Sequence, residues 1–249
     1  MALARVHGSE AGASFDILAR FESEDTRSHA EVMAPFARAA LQEAGVRGEE
    51  LDAILTGTGP GPFTGLRAGI VTARALGFAW SVPVYGMMSL TALAERAYQE
   101  RVFAQGGGAG EAEGAELLVA SDARRREVYS ARYRVNAEDY SLVDGPTVSP
   151  ASEILPGEGP SYAYGYGAGL YAETLRELGW DLVEAGEGIH PHAEYLLAAA
   201  ARRGLDALSP DTSALYLRDS DAKIPAAMLA RQQKQAARAT AQTVGQREG

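Results

Sequence analysis

Thr56-Gly57-Thr58-Gly59-Pro60-Gly61-Pro62-Phe63-Thr64-Gly65-Leu66-Arg67 is the densest signal in this chain. A short apolar run, Leu51 to Thr56, precedes it and reads as a strand; apolar spacing over about Leu66–Trp80 follows and reads as a helix. The glycines allow a sharp turn and a close approach, and the prolines stiffen it. Strand, glycine turn and helix open an α/β layer. At a helix N-terminus such a loop offers free N–H groups to a phosphate or carboxylate; a tight strand-to-helix turn accounts for it equally well. It is not a Walker loop, because no Gly-Lys-Ser/Thr follows and the first lysine of the chain is Lys223. Nor does the glycine spacing match G-x-G-x-x-G.

Working outward, Phe15 to Phe21 reads as a strand, and Leu3 to Val6 makes a hairpin with it across the Gly8–Ser14 turn. Ser28 and Glu31 form an S-x-x-E capping box, from which Val32, Met33, Phe36, Ala40, Leu41 and Ala44 recur at helical spacing until Gly45. Val82 to Tyr85 is another strand, and Ser89 caps a third helix. Gln105 to Glu116 holds five glycines and three glutamates with no large apolar residue, a flexible connection. Beyond it Leu117–Ala120 and Val128–Val135 read as strands, the latter with Tyr129, Ala131, Tyr133 and Val135 on one face. Ser149-Pro150 opens a short helix, Tyr162–Tyr166 is strand-like, and helices follow near Ala168–Leu178 and Pro191–Arg203. The expected organisation is a first α/β lobe over 1–104, a connection over 105–116, a second α/β lobe over 117–228 and a disordered basic tail over 229–249. From Lys223 onward five basic residues face only Glu248.

The 249 residues are 46% hydrophobic and 22% charged, which fits folded domains. Without cysteine, a disulfide framework, a thiolate zinc site and a cysteine nucleophile are excluded. The net charge of −10 argues against a general nucleic-acid-binding surface. No run approaches the roughly 18 apolar residues of a membrane span, so a cytoplasmic protein without membrane association is expected.

Gly65, Gly69, Ala73 and Gly77 stand four apart and form one small-residue ridge. Two glycines inside a helix cost about 1 kcal/mol each relative to alanine, so the ridge serves a close approach, by another helix of the same chain or by another subunit. Arg67, Arg74, Phe78 and Trp80 are residue types favoured at interfaces. The second dense cluster, Asp122-Ala123-Arg124-Arg125-Arg126-Glu127-Val128-Tyr129, reads as an anion or partner site at a strand turn, or as a solvated hairpin tip. His7 and His29 are isolated, and His190 and His192 lack the spacing of a helical metal pair. No serine sits in a G-x-S-x-G elbow.

Gly59-Pro60-Gly61-Pro62-Phe63-Thr64-Gly65-Leu66-Arg67, with Ala68-Gly69-Ile70 after it, resembles the signature of the TsaB (YeaZ-type) family. Four further stretches match in order: Arg27-Ser28-His29-Ala30-Glu31; Pro83-Val84-Tyr85-Gly86 with Ser89-Leu90; Asp122 to Tyr129; and Leu215-Tyr216-Leu217-Arg218 with Asp221-Ala222. The resemblance implies an actin/sugar-kinase/Hsp70-like fold of two α/β lobes. It implies a non-catalytic scaffold and activator of TsaD, in a machinery that places threonylcarbamoyl on the adenosine beside the anticodon of tRNAs reading ANN codons. The implied partners are TsaD and the ATPase TsaE, with TsaC supplying the activated threonylcarbamoyl group, a homodimer as a further form, and tRNA bound indirectly through the complex. No cofactor is expected in this chain; ATP is used by the wider complex. With the ridge, the resemblance marks His29, Glu31, Gly59, Pro60, Gly61, Phe63, Thr64, Gly65, Arg67, Gly69, Ala73, Arg74 and Gly77 as the partner interface. It marks Asp122, Arg124, Glu127 and Tyr129 as a second-lobe motif.

One departure stands out. The family opens with an apolar strand and a D-T-S turn, whereas Leu3–Val6 resembles its second strand, so a start assigned too far downstream is expected. A nucleotide-dependent transferase or glycopeptidase-like enzyme of the same superfamily is the alternative, and a self-associating chaperone-like binder the third reading.

Overall fold

A computed structural model gives the structure of residues 1–8, 11–23, 29–100, 114–136, 138–183 and 188–218, without the side chains of His29 and Ala30. Strands β1 (Ala2–His7) and β2 (Ser14–Arg20) pair antiparallel from Ala2↔Arg20 to His7↔Ser14, the expected hairpin. Helix α1 (His29–Ala44) ends where Gly45 turns left-handed at φ +66° and the Val46 N–H returns to the Leu41 carbonyl at 3.0 Å. The box partner Ser28, the connection up to residue 113, Asp221-Ala222 and the 229–249 tail lie outside the described residues.

After a single 3-10 turn at Gly48–Glu50, β3 (Ile54–Gly57) leads through the glycine loop into α2 (Phe63–Trp80). The chain returns as β4 (Val84–Met87), parallel to β3, with Ile54 opposite Val84 and Gly57 opposite Met87. This is a β-α-β unit, as the alternation in the sequence predicts. Helix α3 (Leu90–Gln99) buries Leu90 to Glu95 and Ala97, so it is covered nearly all round.

The larger sheet runs β7-β6-β5-β8-β9. Its centre is β5 (Ala115–Asp122), antiparallel to β6 (Val128–Val135) and parallel to β8 (Ser161–Tyr164). The last three residues of the expected 105–116 connection are Gly114 and the start of β5, where Glu116 is buried and pairs with Arg132 at 3.0 Å. Strand β7 (Tyr140–Ser149) was not legible in the sequence. Its Asp144-Gly145-Pro146 reads as a turn, yet the structure uses it as an irregularity within the ladder. Gly145 has φ +102°, and a Cβ there would lie 2.9 Å from the Ser130 carbonyl.

Other expectations need correcting. The helix opened by Pro150 is one 3-10 turn, Ala151–Glu153. The expected Ala168–Leu178 helix is broken at Tyr171 into α4 (Tyr166–Leu170) and α5 (Ala172–Glu177), followed by β9 (Asp181–Leu182). Helix α6 (Ala193–Arg203) starts at the His192 cap, two residues beyond Pro191.

One face of the large sheet packs Leu117, Val119, Ala131, Tyr133 and Val135 against Leu90, Leu93 and Ala94 of α3. The other packs Leu118, Ala120 and Ala163 against Ala168, Leu175 and Trp180, whose indole N–H donates to the Ile154 carbonyl at 2.7 Å. Glu95, fully buried in α3, joins three elements. Its carboxylate accepts from Arg202 of α6 at 2.8 and 2.9 Å, from the Tyr140 hydroxyl of β7 at 2.8 Å and from Gln99 at 2.8 Å. Burial and the Glu95 charge push the Tyr140 hydroxyl far above its ordinary range, so it stays a donor. All these elements belong to the compact unit Met1–Leu217.

Glu95→Ala leaves the Arg202 guanidinium, only 25% exposed, without its partner; urea unfolding should show a loss of about 3–5 kcal/mol. Glu95→Leu combined with Arg202→Met and Tyr140→Phe should recover most of it, since replacing a buried polar network by apolar groups is close to neutral when no donor is left unpaired.

Candidate functional site

The glycine loop is held from both sides. Thr58 donates its N–H to the Met87 carbonyl at 2.8 Å, and its own carbonyl accepts the Leu215 N–H at 2.8 Å. Gly59 and Ser89 clasp each other: the Gly59 N–H donates to Ser89 Oγ at 3.0 Å, and the Ser89 N–H donates to the Gly59 carbonyl at 2.7 Å. This corrects one expectation. Ser89 makes no side-chain cap to α3, because its hydroxyl faces the loop. The Thr58 and Gly59 amides at the start of the loop are likewise engaged within the chain. Gly59 itself is required: φ is +97°, and a Cβ would lie 2.9 Å from Leu66 Cδ2.

The segment after α6 crosses this loop as a strap. Its Ser209 carbonyl accepts the Gly86 N–H at 2.9 Å, making a single bridge beside β4. A side chain at Gly86 would run into the Asp211 carbonyl. Two arginines of α2 hold the strap. Arg74 Nε donates to Thr212 Oγ1 at 2.7 Å and Arg67 Nε donates to the Tyr216 hydroxyl at 2.8 Å. The Arg67 guanidinium lies 3.7 Å from the Phe63 ring centroid, and the Phe63 and Tyr216 rings are 5.2 Å apart. Thus Leu215-Tyr216, distant in sequence, joins Gly59 and Phe63–Arg67 in one place. Thr212 and Ser89 have no signal in the sequence that would have shown these contacts.

Helix α2 has two faces. Ala73 and Gly77 are buried. A Cβ on Gly77 would run into Val84 and lie 2.8 Å from the Val82 carbonyl, and one on Gly69 would meet Met33 of α1 at 3.8 Å. The small residues therefore meet elements of the same chain. On the other face Phe63, Arg67, Val71, Arg74 and Phe78, spaced by four, four, three and four, are exposed; Phe63, Val71 and Phe78 reach 48%, 63% and 91%. Pro60 is buried, Gly61 and Gly65 are half-buried, and Thr64 is exposed, as is Glu31 on α1.

Asp122, Arg124, Glu127 and Tyr129 sit on the β5–β6 hairpin. Asp122 accepts the Arg124 N–H at 2.8 Å and pairs with its guanidinium at 3.3 Å, while Tyr129 packs against the core beneath. His7 pairs with Asp16 at 2.8 Å, His192 faces Glu22 at 3.4 Å and Glu194 at 3.9 Å, and His190 stacks on Tyr166 at 4.6 Å. Desolvation, with the nearby His192, lowers the His190 pKa. Among the described residues no group of three His, Cys, Asp or Glu side chains is placed to hold a metal ion, and no helix is long and apolar enough to cross a membrane.

The family model for TsaD, tRNA N6-adenosine threonylcarbamoyltransferase, matches residues 16–177. An uncharacterised protein of Mycobacterium tuberculosis is 42% identical over 133 residues, 53% of this chain and 54% of that protein. The chain thus spans about half the length of the curated relatives of that kind. The tRNA threonylcarbamoyladenosine biosynthesis protein TsaB of Escherichia coli is 28% identical over 211 residues, 80% of this chain and 85% of its own. The solved structure of YeaZ from Pseudomonas aeruginosa superposes with a TM-score of 0.62 at 29% identity, over 87% of this chain and 99% of that one.

Ser89→Ala removes the acceptor of the Gly59 N–H. It should cost about 1–3 kcal/mol in chemical denaturation and speed hydrogen exchange at Gly59 well before that at the α3 amides.

Proposed function

Because the chain belongs to the tRNA N6-adenosine threonylcarbamoyltransferase (TsaD) family, as a TsaB/YeaZ-type member with the actin-like α/β fold, we propose that it is a scaffold and activator subunit in threonylcarbamoylation of the adenosine beside the tRNA anticodon. It pairs with TsaD, admits TsaE to the pair and contributes no catalytic group alone. ATP is used by the wider complex and not by this chain, and tRNA is bound chiefly by the partner. A homodimer on the same surface is the resting form.

The outer face of α2 carries this reading. A helix of a β-α-β unit ordinarily turns its apolar side inward and a polar side to water. Here the inward side buries Ile70, Ala73 and Gly77, and Phe63, Val71 and Phe78 stand in water with two arginines between them. An apolar stripe interleaved with arginine has the composition of an interface core. The strap fixes Arg67, Arg74 and Phe63 in place before a partner arrives, which lowers the ordering cost of binding. The two small positions Gly69 and Ala73, first candidates from spacing, differ in use: Ala73 is only 8% exposed, so enlarging it tests folding and not pairing.

Phe78→Glu and Val71→Glu change only exposed side chains and should shift unfolding by no more than about 0.5 kcal/mol. Calorimetric titration with TsaD should show at least a tenfold loss of affinity for each, with a parallel loss of tRNA modification in the reconstituted system. Unchanged affinity for both variants would show that α2 is not the pairing surface. The matching family model is itself named for a transferase, so the catalytic alternative has a direct assay: turnover of threonylcarbamoyl-adenylate by the isolated chain, for which none is expected.

A further inference from the structure

The tip of the β5–β6 hairpin has a backbone that suits glycine and a sequence that is all arginine. Arg124, Arg125 and Arg126 have φ of 61°, 57° and 65°, the left-handed region in which a side chain is strained and glycine is not. Other groups build the turn. Asp122 accepts the Arg124 N–H, the Ala123 N–H donates to the Glu127 carbonyl at 3.0 Å, and the Glu127 N–H donates to the Arg124 carbonyl at 3.0 Å. Nothing in this bonding needs the guanidinium of Arg126, which is exposed and has no ion-pair partner among the described residues. Strain retained in a surface loop points to a use for the side chains that cause it.

A cleft of about 370 Å³ opens at this tip, lined by Arg125, Arg126, Glu127, Ser152, Tyr171 and Thr174 among others. The Arg126 guanidinium and the hydroxyls of Ser152, Tyr171 and Thr174 offer the donors that phosphate oxygens accept, with Arg125, which also interacts within the chain, beside them; arginine suits phosphate better than lysine because its fork binds two oxygens at once. Glu127 is the one acid in the lining, so the cleft is cationic within a chain of net charge −10. The arginines are exposed, so the cleft is open to a ligand larger than itself. We propose that this cleft holds a phosphodiester of an RNA backbone, giving the chain its own contact to the tRNA on which its partner acts. The proposal rests on the tRNA-modification reading above. The acidity of the remaining surface confines the contact to one or two phosphates.

The test is binding of a labelled tRNA transcript to the full-length chain, alone and mixed with TsaD, read by anisotropy from about 50 to 200 mM salt. Arg125→Gly/Arg126→Gly is the informative variant, because glycine relieves the left-handed φ, and the thermal midpoint should hold or rise. Arg126→Gly alone decides the matter if the double variant folds poorly. The expected result is at least a threefold loss of tRNA affinity and a fall of about one in the salt slope per arginine removed, with TsaD pairing intact. Arg126→Lys should recover part of the affinity. Unchanged affinity and slope in a folded variant would overturn the proposal, as would absence of tRNA binding by the unaltered chain in both forms. An effect on ADP or inorganic phosphate binding with tRNA affinity untouched would also overturn it, reassigning the cleft to a small phosphate ligand. Failure of the unaltered chain to pair with TsaD counts against the functional reading; intact pairing with no tRNA effect counts against this cleft alone.

Discussion

A carboxylate taken wholly out of water must have its acceptor capacity filled, or the fold around it fails. Glu95 meets that demand with four donors from three separate elements, and in doing so dictates where those elements lie. Arg202 brings α6 against α3, and Tyr140 brings the edge strand β7 over the end of the same helix. Arg202 also lies 4.4 Å from the Tyr98 ring centroid, so its charge is shared between a carboxylate and an aromatic face. With α3 set in this way, its apolar residues are delivered to the large sheet on one side, while Ala92 packs with Leu196, Ala199 and Ala200 of α6. The β3–β4 unit and the strap are built on that base.

The strap shows how the candidate site inherits its order. Ser89, the residue just before α3, reaches the glycine loop, so the placement of α3 by Glu95 is passed directly to Gly59. The loop positions the start of α2, and Arg67 and Arg74 of α2 return the constraint by fixing Tyr216 and Thr212. The outer face of α2 is thereby rigid without being covered, a combination that favours association over further folding of the same chain.

Much of this was legible before any coordinates. The hairpin β1–β2, helix α1 with its glycine stop and the β-α-β unit follow from apolar period and punctuation, because those signals act over a few residues. The ridge Gly65-Gly69-Ala73-Gly77 was legible as a ridge, and its period said that these residues share a face. It could not say what that face meets, since Val84 and Met33 lie on elements whose docking depends on the whole chain. Strand β7 escaped for the opposite reason. Asp144-Gly145-Pro146 is a strong local turn signal, and only the neighbouring β6 strand, whose register shifts around Arg132, makes it a bulge. Ser89 was misassigned because a serine before a helix has two acceptor uses, and the nearer one lost to the Gly59 amide.

By itself, then, the sequence determined the order of strands and helices, the need for glycine at the sharp turns and the motifs whose order points to the family. These depend on backbone freedom and on side-chain period, which are properties of short stretches. Tertiary structure alone decided that the small face of α2 is filled from within and the apolar and basic face left open. It also decided that the loop amides bind Ser89 and Met87, and that Glu95 holds α6 and β7 together. Each of these is a contest between partners far apart in the chain, settled by close packing for the α2 face and by the pairing of buried polar groups for the loop and Glu95.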